Sequence, residues 1–207
     1  MTIDNLLKLY VDESKAVTEN LPIGSIEKFI KITLEAYTKN QSFFACGNGG
    51  NAAFCANLIT DLNLHPFVDD SKNNPVSGKL RFKGYNLCDS VSTITGILND
   101  VGPEFIFSEQ LKINAKPGDV LFCISGSGNS RNIKEAMMLG KILQMKTVLI
   151  TRTPTGSCRS FADVVIEITG ESQFPGQTGG NNNNFHFEDS ISKISHMLTG
   201  VLKNHVK

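Results

Sequence analysis

The spacing of apolar residues changes once along this chain, near residue 41. Before that point Leu6, Tyr10 and Val11, and then Ile26, Phe29, Ile30, Leu34 and Tyr37, recur at helical steps. They predict helices over 3–20 and 26–38. After it, short apolar runs alternate with helical patterns. The runs 42–46, 85–88, 120–124, 147–151 and 164–168 read as buried strands, and 52–62, 90–98, 104–111, 133–143 and 187–206 read as helices. That order predicts an α/β fold: a three-layer α/β/α sandwich around a five-stranded, mainly parallel sheet. A single domain over 1–207 is expected, with a helical N-terminal extension (1–40) before an α/β core (41–207). Two helices ahead of the first strand are more than a doubly wound sheet needs, so they are expected to build an oligomer.

Two polar stretches interrupt the alternation. Residues 65–84 carry Pro66, Asp69, Asp70, Asn73, Asn74, Pro75 and Gly78, all turn formers. Residues 174–184 contain PGQTGGNNNN, whose simplest reading is a mobile surface loop and whose sharper one is a lid.

Composition removes whole classes of function. Lys+Arg and Asp+Glu number 20 each, so no net field draws the chain to nucleic acid or an anionic membrane. No run of 18 apolar residues is present, and the N-terminus lacks the apolar core of a signal peptide. Five cysteines without a CxxC read as reduced, buried thiols of a cytoplasmic protein.

Candidate chemistry lies where strands run into helices. In DVLFCISGSGNSRN (119–132) an apolar strand breaks into Ser125, Gly126, Ser127, Gly128, Asn129 and Ser130 before a helix opens. Such a loop aims free N–H groups and a helix dipole at one spot, which suits an anion, phosphate above all. It lacks the lysine of a nucleoside-triphosphate loop. In FFACGNGGNAAFCANLITDL (43–62), Gly47, Gly49 and Gly50 permit a tight turn and Asn51 is placed to cap the next helix. Gly47, Gly49 and Ala52 also fit GxGxxG/A, but the acid a dinucleotide needs would fall at Asp69 or Asp70 in a polar loop. No nucleotide cofactor is therefore expected.

Taken together, CGNGGN, ILNDVGPEFIFSEQL (97–111), GDVLFCISGSGNSRNIKEAM (118–137) and FEDSISKISHML (187–198) resemble the sugar isomerase (SIS) domain family. The branch resembled is the phosphoheptose isomerases, which interconvert sedoheptulose 7-phosphate and a heptose 7-phosphate. The resemblance implies that Ser125, Ser127, Asn129 and Ser130 hold a substrate phosphate. It also implies that Asn48, Gly49, Gly50, Asn51, Asp100 and Glu188 contact the sugar. Asp61 aligns with the catalytic base, usually Glu, and His196 with its proton-shuttling partner. Asn57, Asp61, Glu188 and His196 align with positions that can ligate zinc, so a divalent metal on Asp61, Glu188 and His196 is an expectation. The family is typically a homotetramer with sites at subunit boundaries, and no nucleic-acid or membrane partner is implied.

The chemistry suits such a pair. Aldose–ketose isomerisation moves a proton between C1 and C2 through an enediol, so a carboxylate takes the carbon-bound proton while an imidazole shuttles one between oxygens. Read from the residues alone, His196 can equally be a packing residue and Asp61 a solvated helix end. The chain departs from the family at several points: Asp61 for Glu, Asn51 for Ser, Gly126 for Thr, and Leu64-His65 where Gly-Arg is usual. The last removes an anion-binding arginine. These departures keep a second function in view, a non-catalytic phosphosugar-binding or regulatory protein of the replication-initiator-binding type.

Overall fold

The structure is a computed structural model describing residues 1–71, 74–75 and 78–206. Helices α1 (Ile3–Glu19) and α2 (Ile23–Thr38) precede strand β1 (Phe43–Gly47). Then follow α3 (Gly50–Leu64), β2 (Gly84–Asn86), α4 (Val91–Asp100), α5 (Ser108–Asn114), β3 (Val120–Ile124), α6 (Arg131–Ile142), β4 (Lys146–Thr151), β5 (Val164–Glu167) and α7 (Asn184–Val206). The five strands form one all-parallel sheet in the order β2-β1-β3-β4-β5. The predicted 104–111 helix is a 3-10 turn (Pro103–Phe105) followed by α5. The helix begins late because Pro103 sets a tight first turn.

Strand residues alternate between two cores, as a pleated sheet requires. On one face Phe43, Ala45, Phe122, Ile124, Val148 and Ile150 pack with α2, α3 and α7. On the other, Phe44, Cys46, Leu121, Cys123 and Leu149 pack with α5 and α6. Helix α2 is woven into the first core: Phe29 is fully buried, stacked 5.0 Å from Phe122. Helix α1 contributes only Val17 to the buried set. It is held by side chains: Glu13 accepts from the Ser172 hydroxyl (2.6 Å) and pairs with the buried His186 (3.0 Å).

The described residues of both polar stretches make specific contacts with the rest of the fold. The segment after α3 opens with a 3-10 turn (His65–Phe67), buries Phe67 and Phe82, and closes a Val68–Pro75 bridge. Asn73 lies outside the described residues. The loop over 174–184 is fixed to the fold. Arg152 donates to the carbonyls of Asn182 (2.7 Å) and Gly180, and the buried Gln177 accepts from the Phe185 amide. A long side chain from the neighbouring strand end does what the loop's own small residues cannot.

Candidate active site

The sheet order reverses direction between β1 and β3, and in open parallel sheets ligands bind at the carboxyl ends of strands flanking such a reversal. Both glycine-rich loops are there. After β1, Gly49 takes φ +58° and stands as the N-cap of α3. Asn51 therefore lies within the helix rather than capping it, with its side-chain oxygen buried and unpartnered among the described residues. After β3, the Ser125 and Ser130 hydroxyls meet at 3.1 Å, Asn129 donates its amide to the Ser127 hydroxyl, and Gly128 turns at φ +66°. Among the described residues, the N–H groups of Gly126, Ser127 and Ser130 have no acceptor in the chain. Ser130 is the N-cap of α6 and makes no side-chain cap bond. Free amides, hydroxyls and a helix amino end thus converge.

The two loops are joined. Asn48 and Asn132 exchange amide hydrogen bonds, 3.0 Å from Asn48 Nδ2 and 2.7 Å from Asn132 Nδ2. Asn132, on the first turn of α6, went unseen in the sequence because nothing local marks a partner 84 residues away. A cavity of about 350 Å³ opens here, lined by Asn48, Pro103, Glu104, Ser130, Arg131 and Asn132. Asp100 does not line it; it is exposed at the end of α4 and accepts from Asn99 at 2.8 Å.

Glu188 stands at the same end. Its carboxylate faces Gly50, whose Cβ, if present, would lie 3.7 Å from Oε1, and it accepts from Asn184 at 2.9 Å. Gly50 begins α3, so Glu188 sits against that helix's amino end, where a negative charge is favoured.

Asp61 and His196 assemble elsewhere. Asp61 Oδ2 lies 3.7 Å from His196 Nε2 and 3.4 Å from Asn57 Nδ2, while Oδ1 lies 3.4 Å from His65 Nε2. The Asp61 side chain is 14% exposed and that of His196 66%. A cavity of about 380 Å³ over this cluster is lined by Asn57, Asp61, His65, His196, Thr199, Gly200 and Lys203. It shares no residue with the cavity between the loops. Asp61 lies on α3 eleven residues after Gly50, about 16 Å of helix at 1.5 Å per residue. One chain therefore brings its serine loop, first loop and Glu188 together, and its Asp61–His196 pair together, but not the two groups.

The metal expectation meets the same geometry. Glu188 is eight residues before His196, two turns up α7 and already paired with Asn184. The remaining donors around Asp61 are a carboxamide and two imidazoles, and Asn is a poor zinc ligand. Among the described residues no three His, Cys, Asp or Glu side chains are grouped to hold a metal ion. The set Asp61, Glu188 and His196 does not fit a shared ion within one chain.

Known proteins agree with this architecture. A family model for the SIS domain matches residues 9–152. The phosphoheptose isomerase of Akkermansia muciniphila is 33% identical over 72% of this chain and 74% of its own. The probable phosphoheptose isomerase of Thermoplasma acidophilum is 31% identical over 78% of this chain and 84% of its own. The structure of phosphoheptose isomerase GmhA from Neisseria gonorrhoeae shares the fold with a TM-score of 0.81 at 20% identity, covering 98% of this chain and all of that one. Among the described residues, no helix is long and apolar enough to cross a membrane. The chain belongs to the SIS-domain family, on its phosphoheptose isomerase branch.

Proposed function

We propose that the protein is a cytoplasmic ketose–aldose isomerase acting on a sugar phosphate, sedoheptulose 7-phosphate or a close relative. The observation that carries the reading is the three unsatisfied amides of Gly126, Ser127 and Ser130 beside the paired Ser125 and Ser130 hydroxyls. Ser125, Ser127, Asn129 and Ser130 hold the phosphate in this reading, with Asn48, Gly49, Gly50, Asn51 and Glu188 along the sugar. Asp61 takes the carbon-bound proton and His196 shuttles the proton between O1 and O2, giving the enediol. Support for that pairing is the placement of the His196 imidazole 3.7 Å from one Asp61 oxygen, with His65 3.4 Å from the other.

The separation of the two cavities supports a homo-oligomer, a tetramer on the family's pattern. There the Asp61–His196 pair of one copy meets the phosphate cradle of another. Exposed apolar side chains on α1 (Leu7, Val11) and α4 (Val91, Leu98) support the same reading. Asp100, on the end of α4, would reach sugar only through such a boundary.

Incubation with sedoheptulose 7-phosphate in deuterated water tests the activity: deuterium enters C2. Sugar that binds without exchange sinks the isomerase reading and leaves a phosphosugar-binding protein.

A further inference from the structure

The arginine expected after α3 is replaced by His65, which sits on Asp61, away from the serine loop. Another arginine stands beside that loop. Arg152 directly follows β4, the strand next to β3, and its amide donates to the Gly126 carbonyl at 3.2 Å. Its side chain runs along Gly126: a Cβ there would lie 3.2 Å from Arg152 Nε and 3.7 Å from Cδ. The space that a threonine at 126 would claim is occupied by the stem of this arginine.

The charge there is not neutralised. Two guanidinium nitrogens donate to neutral carbonyls, those of Asn182 and Gly180. Nε is buried and has no acceptor among the described residues. No carboxylate among them pairs with Arg152. A guanidinium with a buried, unsatisfied N–H and only neutral partners is costly unless an anion shares its surroundings. The nearest feature built for an anion is the serine loop. Arg131 also borders the inter-loop cavity, but it is exposed, where salt screens its charge.

We propose that Arg152 is the anion-binding arginine of this site. Its guanidinium, set against Gly126, supplies the positive charge for a phosphate in the serine loop and holds the 174–184 loop across the same end of the sheet. The proposal rests on the phosphosugar reading above and adds to it the residue that carries the charge.

Calorimetric titration with inorganic phosphate tests it on the full chain and on R152Q, R152K and R131Q, with each protein's melting temperature recorded. R152Q is expected to bind phosphate at least tenfold more weakly than the parent. R152K keeps the cation but loses the fork to two carbonyls, and is expected to stay within about threefold even where its melting temperature falls as far as that of R152Q. R131Q is expected to lose less than R152Q. Phosphate binding by R152Q within twofold of the parent overturns the proposal. So does R152K as weak as R152Q, which would make Arg152 a brace only, or a larger loss in R131Q. A parent that binds no phosphate fails the phosphosugar reading itself, whereas a parent that binds while R152Q is unchanged fails only the assignment to Arg152.

Discussion

Asp61 is the residue on which the proposed chemistry turns, and its neighbours separate two roles. Replacing it with Asn keeps the shape and removes the base. Asp61→Asn is expected to slow deuterium exchange by at least about 100-fold, within the range for general-base loss, with little change in melting temperature. Equal exchange rates would remove Asp61 from the mechanism. Gly126 is the second test. A Cβ there would lie 3.2 Å from Arg152 Nε and in ordinary contact with Phe187 at 3.6 Å, so the larger Gly126→Thr is expected to destabilise by roughly 1–3 kcal/mol as an overpacked site. Adding Arg152→Gly should relieve the strain, which thermal denaturation of the single and double variants reads. The serine loop stood out as a candidate because its residues are adjacent within one motif, whereas Asp61 and His196, on different helices, were candidates only through the family resemblance. Asn132 and Arg152 were not, because each acts on a loop that only the strand order brings near.

Elements show the same division between local and distant causes. Strand 120–124 was legible to the residue, since an unbroken apolar run bounded by glycine and serine leaves little freedom. The contacts of the 174–184 loop could not be read from its polar, small residues, which say nothing of the bonds it makes with Arg152 from outside and through Gln177 within. Helix α2 looked like part of an extension, yet it supplies Phe29 to the main core. Phe29→Ala should cost about 3–5 kcal/mol, measured by urea denaturation, whereas an exposed position of α1 such as Leu7 should cost far less in the monomer. Strand β5 carries a pH-dependent anchor just before it. Burial alone would raise the Asp163 carboxyl; hydrogen bonds from Lys141 and from the Thr147 amide and hydroxyl outweigh it and hold Asp163 below the usual carboxylate range. Its stabilisation is present above the unfolded carboxylate pKa of about 3.9 and is lost as pH falls through the lower folded value. Asp163→Asn should therefore lower the melting temperature at pH 7 and converge on the parent in acid; an offset unchanged with pH would remove the carboxylate's part.

At the scale of the whole molecule, α4 has no buried residue, although its Val91 and Leu98 and the Val101 that follows it are apolar and 73%, 44% and 51% exposed. A helix of that pattern is stable where a second surface covers it. Leu98→Glu is expected to shift the particle to a smaller species in light scattering and to abolish exchange, since the proposed site needs two copies. A monomeric parent with full exchange would sink that arrangement. Neither the exposed face of α4 nor the separation of the serine loop from Asp61 and His196 could be read from the sequence, because a motif alignment orders residues along the chain and does not measure the roughly 16 Å of helix between Gly50 and Asp61.

The bridge between Asn48 and Asn132 also sets when this site can exist. Its ends are 84 residues apart, and the β1–β3 pairing beneath it joins residues 77 apart. Contacts of such long range form only after much chain entropy has been lost, and parallel pairings are slow for that reason. The joined loops are therefore expected to form late in folding, since Asn48 meets Asn132 only once β1 and β3 have paired. Phosphate binding as proposed, confined to the finished fold, should slow the unfolding arm of the chevron and leave the refolding arm unmoved.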